Sequence, residues 1–179
     1  MEHGASTELE LRALGLEDEA HAMAAHVELA ADGFSFLPFF EAGEPWAEYV
    51  SRSRHMSGGE GLADGIVPWT DLYGFVEGTV AARVSVRHRL TEELAQTGGH
   101  IGYGVRRQYR RRGYATALLR AGLVIAHDLG IDRALVMCDD DNVGSAAVAE
   151  RCGGVLENVV HVAGATAKRR YWVPTHPGL

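Results

Sequence analysis

From Leu9 to Leu14 apolar and polar residues alternate (LELRAL), the period-two pattern of a first strand. From Glu17 to Ala30, Ala, Met, Val and Leu recur at helical spacing behind acidic residues, which suit the positive end of a helix dipole. Pro45 opens a second helix at PWAEYV, since a helix's first turn does not need the missing N–H. The stretch SGGEGLADG (57–65) is too rich in glycine for either rhythm and predicts a mobile loop. A hairpin follows: Trp69 to Glu77, a turn at Gly78, then Val80 to His88 with Val80, Ala82, Val84 and Val86 on one face. Leu90 to Leu94 reads as a short helical connection, and Ile101 to Val105 as a strand. Tyr114 to Leu129 is a long amphipathic helix with Gly130 as its C-terminal cap. Then come a strand over Arg133 to Cys138, a short helix ending at Glu150-Arg151-Cys152-Gly153-Gly154, and final strands over Val155 to Val162 and Arg169 to Val173. The order β-α-α-β-β-β-α-β-α-β-β predicts a mixed α/β fold with antiparallel hairpins around one β-α-β unit.

Composition narrows the class without identifying chemistry. The 179 residues suit one domain with its own core, and the 46% apolar and 23% charged content is that of an ordinary globular chain. No apolar run approaches the roughly 20 residues of a membrane span, and the acidic, polar start (MEHGASTELE) does not read as a signal peptide, so a cytoplasmic location is expected. Cys138 and Cys152 have no metal-site spacing, and the nine histidines contain no HExxH, so no metal is expected. The net charge of −7 favours a cationic partner at long range.

One segment runs against that charge. Five of the seven residues from Arg106 to Arg112 are arginine, on a turn between a strand and a helix. Gly113-Tyr114-Ala115 opens that helix, whose first N–H groups and positive dipole end make an anion site. The loop is not a Walker motif, because Lys168 is the only lysine. Nor is it a dinucleotide fingerprint: Gly102-Tyr103-Gly104 lies inside the strand and Arg107 stands where the third glycine belongs. A short basic loop on an acidic chain favours a small phosphorylated ligand over nucleic acid.

Arg110-Arg111-Arg112-Gly113-Tyr114-Ala115 resembles the R/Q-x-x-G-x-G/A signature of the GNAT superfamily of N-acetyltransferases. About thirty residues on, Asn142-Val143-Gly144-Ser145 and Glu150-Arg151-Cys152-Gly153-Gly154 resemble that family's N-x-x-S…E-x-x-G segment. GGHIGYGVR from Gly98, the CDxDNxxS pattern from Cys138 and RRYW from Arg169 are similar to a bacterial branch of predicted acetyltransferases. The resemblance implies the GNAT fold, a twisted, mostly antiparallel sheet of about six to seven strands flanked by about four helices. It implies acetyl-CoA as co-substrate, direct acetyl transfer to the amine of a small molecule or peptide, and homodimers among relatives. The loop from Arg111 through Gly113, Tyr114 and Ala115 to Thr116 would hold the pyrophosphate, with Arg110, Arg111 and Arg112 assisting. Val105 and Arg107 would pair with the pantetheine arm, and Asn142 and Ser145 would lie beside the cofactor.

The catalytic groups are less plainly marked. Where family members often carry a Glu or His base, this chain has Gly99; where a tyrosine acid is common, it has Ala149. His100 is the nearest substitute base, or a strand-end histidine bound to backbone. Tyr103 is the nearest substitute acid, or a core residue. Asp141 is either a cation site or a helix cap; Cys138 is a buried hydrophobe or a cleft thiol; Tyr171 and Trp172 form an acceptor wall or the core. These departures keep open a non-catalytic acyl-CoA-binding sensor as the alternative function.

Overall fold

Seven strands form one sheet in the computed structural model, which describes residues 8–161 and 163–176. They are β1 (Glu10–Arg12), β2 (Trp69–Val76), β3 (Thr79–Arg87), β4 (Ile101–Val105), β5 (Arg133–Asp139), β6 (Val155–Val160) and β7 (Lys168–Pro174). Their spatial order is β1-β2-β3-β4-β5-β7-β6, and every neighbouring pair is antiparallel except β4 with β5. Among the described residues five α-helices flank it: α1 (Glu19–Ala30), α2 (Trp46–Ser57), α3 (Glu92–Thr97), α4 (Tyr114–Asp128) and α5 (Val143–Arg151). The mixed, mostly antiparallel sheet is the architecture expected of the GNAT fold.

Two apolar clusters fix the layers. On one face, Val84, Val86, Ile101 and Val136 meet Leu118 and Leu119 of α4 and Ala146 and Ala149 of α5. On the other, Tyr73, Phe75 and Val80 meet Ala22, Ala25 and Leu29 of α1 and Tyr49 and Val50 of α2. Each fully buried Leu or Phe contributes about 1.5–3 kcal/mol of transfer free energy, so this sandwich holds the sheet's orientation.

Element ends differ from the sequence reading where side chains capture backbone. Leu16–Asp18 is a 3-10 turn, held by Asp18 accepting the Gly15 N–H (2.7 Å) and the Arg12 guanidinium (2.6 and 2.9 Å), so α1 starts after Glu17. Thr91 is the N-cap of α3, its hydroxyl accepting the Leu94 N–H at 3.2 Å, which moves that helix beyond Leu90. Gly130 adopts φ +78°, and Ile131 N–H reaches back to Ala126 O at 3.0 Å, the left-handed C-terminal cap expected there. β6 ends at Val160; Val162, expected in that strand, lies outside the described residues, as do the first seven residues. Among the described residues no helix is long and apolar enough to cross a membrane.

Candidate functional site

The site is built on a break in the sheet. β4 and β5 share a single register pair, Ile101 with Val136, although β4 pairs with β3 over all five of its residues. Beyond Ile101 the two parallel strands separate, leaving the β5-facing edge of Gly102 to Val105 without a strand partner. A cleft of this kind offers free backbone donors and acceptors to an extended, amide-bearing ligand.

His100 guards the closed end of the cleft. Its backbone N–H donates to Leu135 O (2.7 Å), and its Nδ1 accepts the Leu135 N–H (2.9 Å). Burial, reinforced by the charge of Arg87, lowers the His100 pKa and keeps the ring neutral. The ring therefore replaces a missing ladder contact between β4 and β5, and its acceptor nitrogen is already in use. Gly99, just before it, has φ +73°, and a Cβ there would stand 2.6 Å from Leu135 O. No side chain, and hence no acid or base, fits at that position.

At the open end of β4 the arginine loop divides into two groups. Arg106 pairs with Glu28 (2.8 Å), and the Arg107 N–H donates to the same carboxylate (2.7 Å). Arg107 and Arg110 both grip Asp32, just beyond α1, whose pKa they hold at about 2. Arg110 also donates from Nε to Val105 O at 2.9 Å. The expected roles of Arg107, Arg110 and Val105 toward a ligand must be weighed against these bonds: the Arg107 amide and the Val105 carbonyl already have partners. Arg111 and Arg112 are exposed and form no ion pair among the described residues. They immediately precede Gly113, which caps α4 in the left-handed conformation (φ +84°), and Arg111 itself has φ +65°. Ladder bonding in α4 begins with Ala117 N–H to Gly113 O (3.1 Å), so the first-turn amides, including those of Ala115 and Thr116, lie ahead of it at the helix's positive end. Tyr114 is buried in the core beneath the loop.

Across the cleft, α5 presents its own N-terminus. Asn142, not Asp141, is its N-cap, with Oδ1 accepting the Ser145 N–H at 3.0 Å. Ser145 Oγ shares a hydrogen bond with the Tyr103 hydroxyl (2.8 Å), tying β4 to α5 across the gap. Burial pushes the Tyr103 pKa up to about 12, so the phenol holds its proton at neutral pH. Cys138 is buried, with its thiol pKa raised by that burial. Tyr171 is core, donating to Glu150 at 3.0 Å. Trp172 is half-buried and stacks under Arg133. No cluster able to hold a metal occurs among the described residues.

A cavity of about 500 Å³ lies on the α1–α2 face and escaped the sequence reading. Trp69, Arg83, Ser85 and Arg87 from the hairpin and Gly102 from β4 line it, beneath Phe34 and Phe39 of the segment after α1. Its sequence signal was present: Arg83, Ser85 and Arg87 alternate with Ala82, Val84 and Val86, a polar row on a strand whose other row is core. Arg83 is neutralised by Asp71 (2.8 Å), and both side chains are buried. A Cβ on Gly104 would stand 2.8 Å from the Phe34 ring, which would have to move to admit it, whereas a Cβ on Gly102 would meet nothing within 4 Å. The cavity floor therefore stays open where it adjoins the split strand.

A family model described as "Acetyltransferase (GNAT) domain" matches residues 8–155. Compared by sequence with curated proteins, the chain has no significant match. Among solved structures, it is similar to an acetyltransferase of the GNAT family from Streptococcus pneumoniae (TM-score 0.64, 14% identity, covering 93% of this chain and 99% of that one). It is also similar to yncA from Salmonella typhimurium with its cofactor acetyl-CoA (TM-score 0.61, 12% identity, 95% of each chain). A third is Mycobacterium smegmatis RimJ in complex with CoA-disulfide (TM-score 0.63, 19% identity, 94% of this chain and 83% of that one).

Proposed function

The chain belongs to the GNAT acetyltransferase family, and on that premise we propose that it moves an acetyl group from acetyl-CoA to a primary amine. The observation that carries this reading is the β4–β5 cleft, open after one register pair and bounded at its mouth by the α4 N-terminus with Arg111 and Arg112, which form no ion pair among the described residues. Those groups match a pyrophosphate: first-turn amides and a dipole for the oxygens, and two guanidiniums for the charge. In this reading the loop from Arg111 to Thr116 holds the phosphates, Asn142 and Ser145 flank the arm, and the free edge of β4 up to Val105 pairs with its amides. Arg107 and Arg110 serve at one remove, by anchoring the loop to Asp32.

The chemistry asked of the chain is modest. As the amine nitrogen bonds to the acetyl carbon, the thioester oxygen gains charge, which a backbone N–H on the β4 edge is placed to stabilise. The C–S bond then breaks, the departing sulfur takes a proton, and the nitrogen's surplus proton goes to water. Tyr103, protonated at neutral pH and set on the cleft edge, is the proton donor we assign; His100, with Nδ1 engaged by Leu135, is the weaker candidate for the base. Tyr103→Phe is expected to lower kcat about a hundredfold or more with little change in KM for acetyl-CoA.

Gly99, which admits no side chain, and the buried Ala149 favour one alternative, an acyl-CoA-binding sensor without turnover. Calorimetric titration with acetyl-CoA, with AMP and pantetheine as controls, tests the shared premise: binding that needs both halves supports the cleft, and absence of binding removes both readings. Thiol release above hydrolysis with a panel of amines then removes the sensor.

A further inference from the structure

The cavity on the α1–α2 face has a composition that selects among amines. Arg83 and Arg87 line it, and no Asp or Glu does. Arg83 is spent on Asp71, which also accepts the Trp69 indole N–H (2.6 Å), so that carboxylate is saturated behind the cavity wall. Arg87 has no such partner. Its Nη1 donates to the Gly99 carbonyl at 2.9 Å, and more distantly to Gly98, while Nε and Nη2 meet no acceptor among the described residues and are not sealed from the cavity. Burial and the neighbouring Arg83 charge depress the Arg87 pKa, and the Asp71 carboxylate, bonded to Arg83, offsets this only in part. Trp69, Phe34 and Phe39 add aromatic surface, and Ile66, Val67 and Leu94 aliphatic surface, to the lining.

Resting on the acetyl-transfer reading above, we propose that this cavity receives an amine that also carries a carboxylate, a small amino acid with an apolar body. Arg87 takes the carboxylate through Nε and Nη2, and the aromatic walls cover the side chain. The amine then lies toward Gly102, where the bare floor opens onto the split strand. A volume of about 500 Å³ suits a molecule of this size. The local field thus opposes the net charge of −7, which by itself pointed to a cationic acceptor. Polyamines and other polycations would meet an unpaired guanidinium with no carboxylate in the wall to offset it.

The test pairs ligands that differ only in the carboxylate, on the full chain. Calorimetry with 3-phenylpropanoate against 3-phenylpropanol reads the subsite without any turnover, and acetylation of phenylalanine against phenethylamine reads it in the reaction. The wild type is expected to favour the carboxylate member of each pair by about tenfold or more, the range of a charge-assisted double hydrogen bond. Arg87→Gln is expected to abolish the preference, with its fold checked by circular dichroism and acetyl-CoA titration, and Arg87→Lys to keep part of it. Equal binding of the two probes by the wild type, or a preference unchanged in Arg87→Gln, overturns the proposal; the wild-type comparison decides even if the variant does not fold. Equal turnover of the two amines overturns it while leaving acetyl transfer intact. Arg87-dependent binding of 3-phenylpropanoate with no amine acetylated has the opposite meaning: the carboxylate subsite stands and the acetyl-transfer reading falls.

Discussion

His100 shows how one side chain can be captured by the backbone. Its Nδ1 must be unprotonated to accept the Leu135 N–H, and burial lowers its pKa below the ordinary value of 6.5. The unfolded chain therefore binds this proton more readily than the folded one, so stability is full above about pH 6.5 and falls as pH drops through the window below it. His100→Asn, whose Oδ1 can accept the same N–H, is expected to flatten the dependence of Tm on pH between about 7.5 and 5.5. His26 and His88, whose pKa values burial also lowers, will preserve part of the slope. Gly99→Ala tests the adjoining turn: with φ +73° and a backbone oxygen 2.6 Å from the new Cβ, a loss of about 2 kcal/mol or more is expected in urea unfolding. The nearest alternatives to a family base are thus explained by structure: one position has no room, and the other is already bonded.

At the scale of elements, the hairpin and the arginine loop divide what a sequence can reveal from what it cannot. The alternating valines of β3, the Gly130 cap and a capping pair ahead of α5 were legible because each depends on neighbours within a few residues, although the cap proved to be Asn142 and not Asp141. The pairing of Arg107 and Arg110 with Asp32 was not, because it joins residues more than seventy positions apart, and five arginines in seven positions read the same whether they are paired or free. Of the cavity only the polar row of β3 was legible; that Trp69, Arg87 and Phe34 meet around it depends on the closed sheet. Gly113→Glu should fold, since a Cβ there meets nothing within 4 Å, at a backbone cost of about 1–2 kcal/mol. Its carboxylate faces the proposed phosphate site, and calorimetry should show acetyl-CoA affinity lowered by about tenfold or more. Asp71→Ala should cost about 3–5 kcal/mol, because it leaves the Arg83 guanidinium buried without a counterion. Thermal unfolding of this variant against the wild type measures that loss.

For the whole molecule, charge is arranged locally rather than globally. Three of the five loop arginines are held by Glu28 and Asp32, which leaves a basic patch suited to one pyrophosphate and short for a nucleic-acid backbone. A ligand bridging the cleft should stabilise the entire fold: at about 100 times its Kd, acetyl-CoA is expected to add about 2.7 kcal/mol, or roughly 5–10 °C in Tm for a chain of this length. AMP and pantetheine alone should each give less. The single register pair between β4 and β5 also sets a rhythm of exposure. Amides along the β5-facing edge from Gly102 to Val105 should trade hydrogen for deuterium quickly in the empty protein, while those bonded between β3 and β4 trade slowly. Filling the cleft would close that edge, so the two halves of the sheet would be read, amide by amide, as one continuous surface only when the ligand supplies the missing strand.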